Sequence, residues 1–398
     1  MRRNWVLGAV AASALLLAAT NEAAAQDIGN WNIPAVELPV GDYAFHLGGQ
    51  ANGAAYGATQ PAATNSSGVT GAATLSAKLD RTYDDGMTIA LNGAFEIYHD
   101  HLSGDLYGDR LLEKLYANVQ TGLGRIEIGQ TDGAAHALAV TGPVVDDDVS
   151  LESSRTTFFL DPSLGAAFTK VFSVKTAPLA SLNYAKLSYY SPRLFGLQLA
   201  MSFTPSQSKE ILPFISNGPH TPDRQDDIWD GAVSYSDYFG ALSVGAFASF
   251  SVAHDGAKTT GHAGLTDWAI GSELDYSIND DIKLSGGAAF RQTNAYAFDI
   301  NSVFKSGTTR ATHLSTMLSD GPWLIGAEYS DGTADGSATV PTLSVRGYQG
   351  SVGYVVNANL QLTAGWERLN YSRNAGAFYN GLPHIQMDAE FLHIRLHV

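Results

Sequence analysis

Residues 114–130 read KLYANVQTGLGRIEIGQ, and the chain then enters a long irregular tract that contains VVDDDVSLESS at 144–154. In the first half, Leu115, Ala117 and Val119 alternate with Lys114, Tyr116, Asn118 and Gln120. A period of two belongs to a strand, whose successive side chains point to opposite faces. Thr121-Gly122-Leu123-Gly124 supplies two glycines for a tight reversal. Arg125 and Glu127 then alternate with Ile126 and Ile128 on the way back, which predicts a β-hairpin. After Gln130 about fifty residues pass before alternation resumes near Asn183. Connections of that length are normally functional or disordered. The expectation is a loop, residues 131–182, folded into the mouth of a barrel whose wall is built by the rest of the chain.

Composition and the first residues point to export. Arg2 and Arg3 precede an apolar run from Trp5 to Ala19, and Ala23-Ala24-Ala25 precedes Gln26. A charged start, a short apolar run and small residues before a cleavage point mark a secretory signal, so residues 1–25 are expected to be removed. Cleavage there takes Arg2, Arg3 and Glu22 from 23 Lys+Arg and 39 Asp+Glu, moving the net charge from −16 to −17. That balance disfavours nucleic acid as a partner, because such binding rests on Lys and Arg at phosphates. There is no cysteine, so disulfides contribute nothing to stability. No later run approaches the roughly eighteen apolar residues of a spanning helix. Yet 45% of residues are hydrophobic and only 16% charged, against a usual level of about a quarter. What remains is a β-rich soluble protein, or a transmembrane barrel that sorts its apolar residues outward by alternation.

Working outward from the hairpin, the same rhythm recurs. Residues 26–42 show no clear period and are read as a lead-in, with the barrel over 43–398. Alternation begins at Tyr43, Phe45 and Leu47, and the small residues that follow, to about Ser67, read as a loop. Leu75, Ala77 and Leu79 alternate with Thr74, Ser76 and Lys78 before the turn Asp84-Asp85-Gly86. Ile89, Leu91, Phe95 and Ile97 oppose Thr88, Asn92, Glu96 and Tyr98, over a length that crosses a bilayer when tilted. Beyond the long loop, Ala185, Leu187 and Tyr189 alternate with Lys186, Ser188 and Tyr190. Short turns fall at Phe239-Gly240, Asn279–Asp281, Asp320–Pro322 and Asn357–Asn359. They alternate with long polar connections at Pro205–Ile228, His254–Leu265, Asn294–Thr308, Asp331–Val345 and Ser372–Ile385. The count is about sixteen antiparallel strands, an even number that puts both chain ends on the short-turn side. In the final strand, AEFLHIRLHV, Leu392, Ile394, Leu396 and Val398 oppose Phe391, His393, Arg395 and His397. A charge facing lipid at mid-depth costs about 2–4 kcal/mol, so His393, Arg395 and His397 are assigned to the lumen.

These residues resemble a Gram-negative general diffusion porin of the sixteen-stranded, usually trimeric kind, over essentially the whole mature chain. The hairpin YANVQTGLGRIEIGQ, the element YYSPRLFGLQL from Tyr189 and a longest, acidic third external loop carry the resemblance. It implies a water-filled channel through the outer-membrane bilayer for small hydrophilic solutes and ions, a periplasmic lead-in, a homotrimer and no cofactor. It also implies that the third loop folds inward and narrows the lumen. By position Asp146, Asp147, Asp148 and Glu152 would form its acidic side, and Lys78, Arg110, Lys114 and Lys186 the facing basic wall. The chain departs from the family pattern in ending on Val398 rather than an aromatic residue, and in lacking a proline-phenylalanine-glycine acidic motif in the loop.

Each site has a plainer reading beside the functional one. An acidic triplet in a loop is commonly a solvated segment; as a pore lining, with −17 overall, it favours cations. The basic residues would otherwise hydrate a wide lumen. His99 and His101 lie on one face of a strand, yet two imidazoles without further ligands are assigned no metal. Trp268, Tyr276, Trp323, Tyr329 and Trp366, near strand ends, read as interfacial aromatics. No G-x-S-x-G, H-E-x-x-H or Gly-Lys phosphate loop occurs, and Glu127 stands where a dinucleotide fingerprint starting at Gly122 needs glycine. A solute-specific porin and a barrel enzyme with dispersed Ser, His and Asp stay open as alternatives.

Overall fold

The computed structural model describes residues 36–60, 66–99, 112–153, 158–161, 166–167, 176–178, 180–181, 184–207, 225–255, 264–294, 308–335, 342–373 and 384–397. The expected signal (1–25), Arg110, Asp100, His101 and Val398 lie outside them. The strands are β1 Val36–Val40, β2 Tyr43–Thr59, β3 Ser66–Thr82, β4 Thr88–His99, β5 Leu112–Thr121, β6 Gly124–Gln130, β7 Leu160–Asp161, β8 Ala166–Ala167, β9 Ala185–Tyr190 and β10 Leu197–Ser206. They continue with β11 Gln225–Phe239, β12 Leu242–Asp255, β13 Thr266–Ser277, β14 Ile282–Thr293, β15 Thr309–Asp320, β16 Trp323–Ala334, β17 Leu343–Asn357, β18 Leu360–Arg373 and β19 His384–His397.

Each strand from β2 to β6 and from β9 to β19 pairs antiparallel with the next, and β19 closes on β2 from Asp388↔Thr59 to His397↔Gln50. The result is a sixteen-stranded barrel. Closure pairs the backbone groups that an open edge would leave to water, a condition any sheet crossing hydrocarbon must meet. The long loop leaves from β6 and returns into β9, and those two strands are themselves paired, Arg125↔Tyr190 to Gln130↔Ala185. The wall is therefore continuous behind the loop. Within the loop, β7 and β8 form a two-residue ladder.

The faces follow the sequence alternation. Leu91, Leu199, Leu392 and Ile394 are 47–60% exposed, whereas Ser202 and His393 on the opposite face are at most 2% exposed. Apolar side chains exposed and polar ones enclosed is the inverse of a soluble protein, and is the pattern a lipid-facing wall requires. Trp268, Tyr276 and Trp323 stand exposed near strand ends, and Trp323 packs edge-on against Tyr354 at 4.7 Å. At the tight reversals Gly86, Gly124, Gly196, Gly240 and Gly321 adopt positive φ.

Two expectations need correction, and a segment left without a fold acquires one. The small-residue tract to Ser67 is mostly strand: β2 runs to Thr59 and β3 starts at Ser66, paired from Ala44↔Asp80 to Ala58↔Ser66. Alanine and glycine carry too little contrast to show a period, while the ladder is made by backbone groups that every residue supplies. The lead-in likewise holds a strand, since β1 pairs with Tyr43–Leu47 on the edge of β2 that β19 covers further along. It extends the row of β19 past the end of that strand. Several connections are also shorter than the polarity of their flanks suggested. Ser206, Asp331, Leu343, Ser372 and His384 are ladder residues, because strands rising beyond the apolar band become polar on both faces.

Leu314 lies midway along β15 and faces outward, 45% exposed. Replacing it with Arg is expected to destabilise the barrel in lipid vesicles by about 2–4 kcal/mol. Denaturant titration of the folded protein in vesicles measures this directly.

Candidate pore constriction

The loop is fixed at its root by two lysines of the wall. Lys114 on β5 bonds Asp132 at 2.6 Å, and Lys186 on β9 donates to the carbonyl of Thr131. Gln130 reaches back to the carbonyl of Leu112 at 3.2 Å. Beyond Gly133 a single helical turn, α1 (Ala134–Ala137), presents the Ala134 N–H to Ser202 Oγ at 3.0 Å. Ser202 in turn donates to Asp230 at 2.8 Å, and Ser181 from the loop's other end donates to the same carboxylate. Both limbs of the loop thus meet at one buried aspartate of β11.

From there the chain follows the inner wall through β12 to β19. Val140 passes over Gly271, and Val145 over Gly326 and Gly353. Where the loop crosses β14, Gly142 and Gly287 lie back to back. A Cβ on Gly287 would stand 2.4 Å from Gly142 Cα, and Gly142 itself has φ +104°. Only glycine on both sides allows that approach.

The acidic triplet comes next, and its three members are used differently. Asp146 is buried; Thr363 Oγ1 donates to its Oδ2 at 2.8 Å, and His393 Nδ1 lies 2.8 Å from the same oxygen. Arg395 Nη1 is 3.5 Å from Oδ1, and the Asp148 N–H donates to Oδ1 at 3.2 Å. Gln361 braces the arrangement, donating to the Val145 carbonyl at 2.7 Å and accepting from Arg395 at 2.8 Å. Burial works against the charge of Asp146, but the His393 hydrogen bond and charge, with Arg395 and Thr363, outweigh it and hold its pKa below the ordinary aspartate range. Asp148 is also buried and accepts from Gln50 of β2 at 2.6 Å. Asp147 alone is exposed, directed to the lumen between its two anchored neighbours.

The loop then turns back. Leu151 N–H donates to Glu328 of β16 at 3.0 Å, and Glu152 accepts from the Thr176 N–H at 2.9 Å, tying the loop to itself. Phe158 stacks on Phe391 at 4.9 Å and packs near Tyr56 at 5.5 Å. The residues expected from sequence are therefore distributed among several places. Asp146, Asp148, His393 and Arg395 meet in one cluster, and Lys114 and Lys186 meet at the loop root. Lys78 pairs with Asp80, which also bonds His46 at 2.9 Å, near the Asp84–Gly86 turn. His397 is exposed at the end of β19. Sequence reasoning missed the glycine track, Asp230, Gln361 and Thr363. The track had a signal: Gly271, Gly287, Gly326 and Gly353 all fall on inward positions once strand parity is set. Among the described residues no group of three His, Cys, Asp or Glu side chains converges as for a metal ion.

A closed barrel with a loop seated on its inner wall defines a channel, and the comparisons give the family. The family model described as Gram-negative porin matches residues 10–376, so the chain belongs to that family and resides in the outer membrane. A comparison with curated protein sequences finds no match. Among solved structures the chain is similar to Salmonella typhi OmpF in complex with daunomycin, at TM-score 0.59 and 12% identity, covering 91% of this chain and 100% of that one. It is also similar to the anion-selective porin of Comamonas acidovorans, at TM-score 0.55 and 15% identity, covering 89% and 100%. A third is the trimer form of Vibrio cholerae OmpT, at TM-score 0.55 and 12% identity, covering 90% and 100%. At such identities the likeness is one of fold.

Asp146→Ala leaves His393 and Arg395 without their carboxylate, and is expected to cost about 3–5 kcal/mol and to unseat the loop tip. Asp147→Ala, which breaks no wall contact, is expected to leave stability within about 0.5 kcal/mol of the parent. Denaturant unfolding of both variants, with single-channel current noise as a second readout, tests the difference.

Proposed function

We propose that this barrel is a cation-preferring channel for passive diffusion of small hydrophilic solutes and ions, assembled as a homotrimer. It carries out no chemical step; the protein replaces hydrocarbon with a hydrated, charged lumen. The observation that carries the cation preference is Asp147, an exposed carboxylate on the loop within electrostatic reach of Glu273 on β13. The cationic Arg395 beside it is engaged with Asp146 and Gln361. A negative lining of this kind attracts cations and repels anions. The anion-selective Comamonas porin shares the fold and at 15% identity carries no argument on charge. The trimer form of OmpT and the family resemblance support the homotrimer. The N-terminal signal over residues 1–25 and a pore-narrowing role for the loop belong to the same proposal.

Reversal potentials across planar bilayers in a KCl gradient test it. Potassium is expected to permeate more readily than chloride, and Asp147→Asn to lower the permeability ratio by roughly twofold or more. Removal of water from around Asp147 raises its pKa, an effect Arg395 opposes and Asp146 and Asp148 reinforce. On acidification Asp147 therefore loses its charge at a higher pH than an ordinary aspartate. Asp146, with its lowered pKa, keeps its own charge, and with it the seating of the loop, to lower pH. Cation preference is expected to fall before any loss of stability, and Asp147→Asn to lack that first phase. A chloride preference, or a pH profile unchanged in the variant, contradicts the proposal.

A further inference from the structure

The long loop lines the barrel almost all the way round. From its root at Lys114 of β5 and Lys186 of β9 it reaches Ser202 of β10 and Asp230 of β11. It then passes over glycines of β12, β13, β14, β16 and β17, and its tip bonds Thr363 of β18, His393 of β19 and Gln50 of β2. Gln50 pairs with Thr74 of β3, and on the other side Lys114 pairs with Ala94 of β4. The two attachments therefore bracket β3 and β4. The inner faces of these strands, with the part of β5 nearest its turn, form the stretch of wall that the lumen keeps. Thr74, Ser76, Asn92, Tyr116 and Asn118 on that stretch are exposed or half-buried. Inward serines on strands that the loop crosses, Ser202, Ser251 and Ser330, are at most 2% exposed.

The lysines of this face are compensated where they stand, Lys78 by Asp80 at 3.1 Å and Lys114 by Asp132 at 2.6 Å. Between them the wall presents neutral hydrogen-bonding groups. Asn92 Nδ2 donates to Asn118 Oδ1 at 2.7 Å, so each carboxamide orients the other. The pair still offers the lumen an acceptor on Asn92 and a donor on Asn118. Tyr116 lies opposite Asn92 in the ladder, and Thr74 and Ser76 add hydroxyls. We infer that permeating solutes travel along β3–β5 and that this face favours uncharged polyhydroxylated molecules, of which a hexose is the type. Each hydroxyl of such a solute both donates and accepts, so it takes the place of water on the amide and hydroxyl groups without leaving any of them unpaired. A wall of uncompensated lysines and arginines, as the family resemblance implied, would favour anions instead. The inference rests on the channel reading and specifies the side of the lumen used and the class of solute it favours.

Two measurements on the full-length protein test it. In planar bilayers, Ser76→Cys is expected to lose single-channel conductance on reaction with a charged, water-soluble thiol reagent. Ser251→Cys, the same change made beneath the loop, is expected to keep its conductance in that reagent. In proteoliposomes, swelling is expected to be at least as fast in glucose as in the smaller triethylene glycol, which has a hydroxyl only at each end. Asn92→Ala with Asn118→Ala widens the path, so a purely steric wall would then pass glucose faster. The inference predicts the opposite, glucose slowed relative to triethylene glycol by about threefold or more through the lost hydrogen bonds. Where the double variant fails to insert, Thr74→Val, which leaves the amide pair in place, carries the same comparison. Glucose accelerated or unchanged in the variants, no effect of the reagent at Ser76→Cys, or an equal effect at Ser251→Cys overturns the inference and leaves the channel reading intact. Absence of ion current overturns both.

Discussion

A buried carboxylate anchored to three strand residues governs the lumen. Asp146 sits in the loop, but its oxygens are taken by Thr363, His393 and Arg395 of the last two strands. Burying that charge alone would cost several kcal/mol, and the penalty is offset because two basic side chains, a hydroxyl and a backbone N–H converge on it. The consequence is positional. With Asp146 held on one side and Asp148 on Gln50 on the other, Asp147 between them has one direction left, toward the open channel.

That contact works only because the wall is smooth where the loop lies. Gly271, Gly287, Gly326 and Gly353 remove the side chains that would hold the loop off. The anchors at the two ends, Lys114, Lys186 and Asp230 at the root and Phe158 against Phe391 beyond the tip, fix the length of chain between them. The wall in turn depends on closure. β19 completes the ring against β2, and β1 occupies the remaining edge, so the backbone of the described barrel strands is paired around the whole circumference.

Much of this was legible in the sequence. The alternation of Leu115–Val119 with Lys114–Gln120, the glycine turns and the even strand count established the barrel and its faces, because a period of two survives any small error in strand ends. The lumen position of His393 and Arg395 followed from parity, and the inward course of the loop from its length together with the family resemblance. What escaped had physical reasons. The second half of β2 passed for a loop because Ala and Gly give no hydropathy contrast. The strand tips at Asp331–Ala334 and His384–Asp388 rise past the apolar band, where both faces turn polar. The separate fates of Asp146, Asp147 and Asp148 were not legible at all, since they depend on which wall atoms stand behind each one, from residues more than two hundred positions away in the case of His393.

The position of Asp147 depends on the loop lying against the wall along the glycine track and beyond it. Because the chain has no cysteine, a single engineered pair reports on that contact. Asp148 of the loop accepts a hydrogen bond from Gln50 of the wall at 2.6 Å, so Asp148→Cys with Gln50→Cys is expected to cross-link through a short bifunctional thiol reagent in the folded protein without changing single-channel conductance. Failure to cross-link, or a conductance that shifts severalfold when the bridge forms, would show that the loop rests elsewhere.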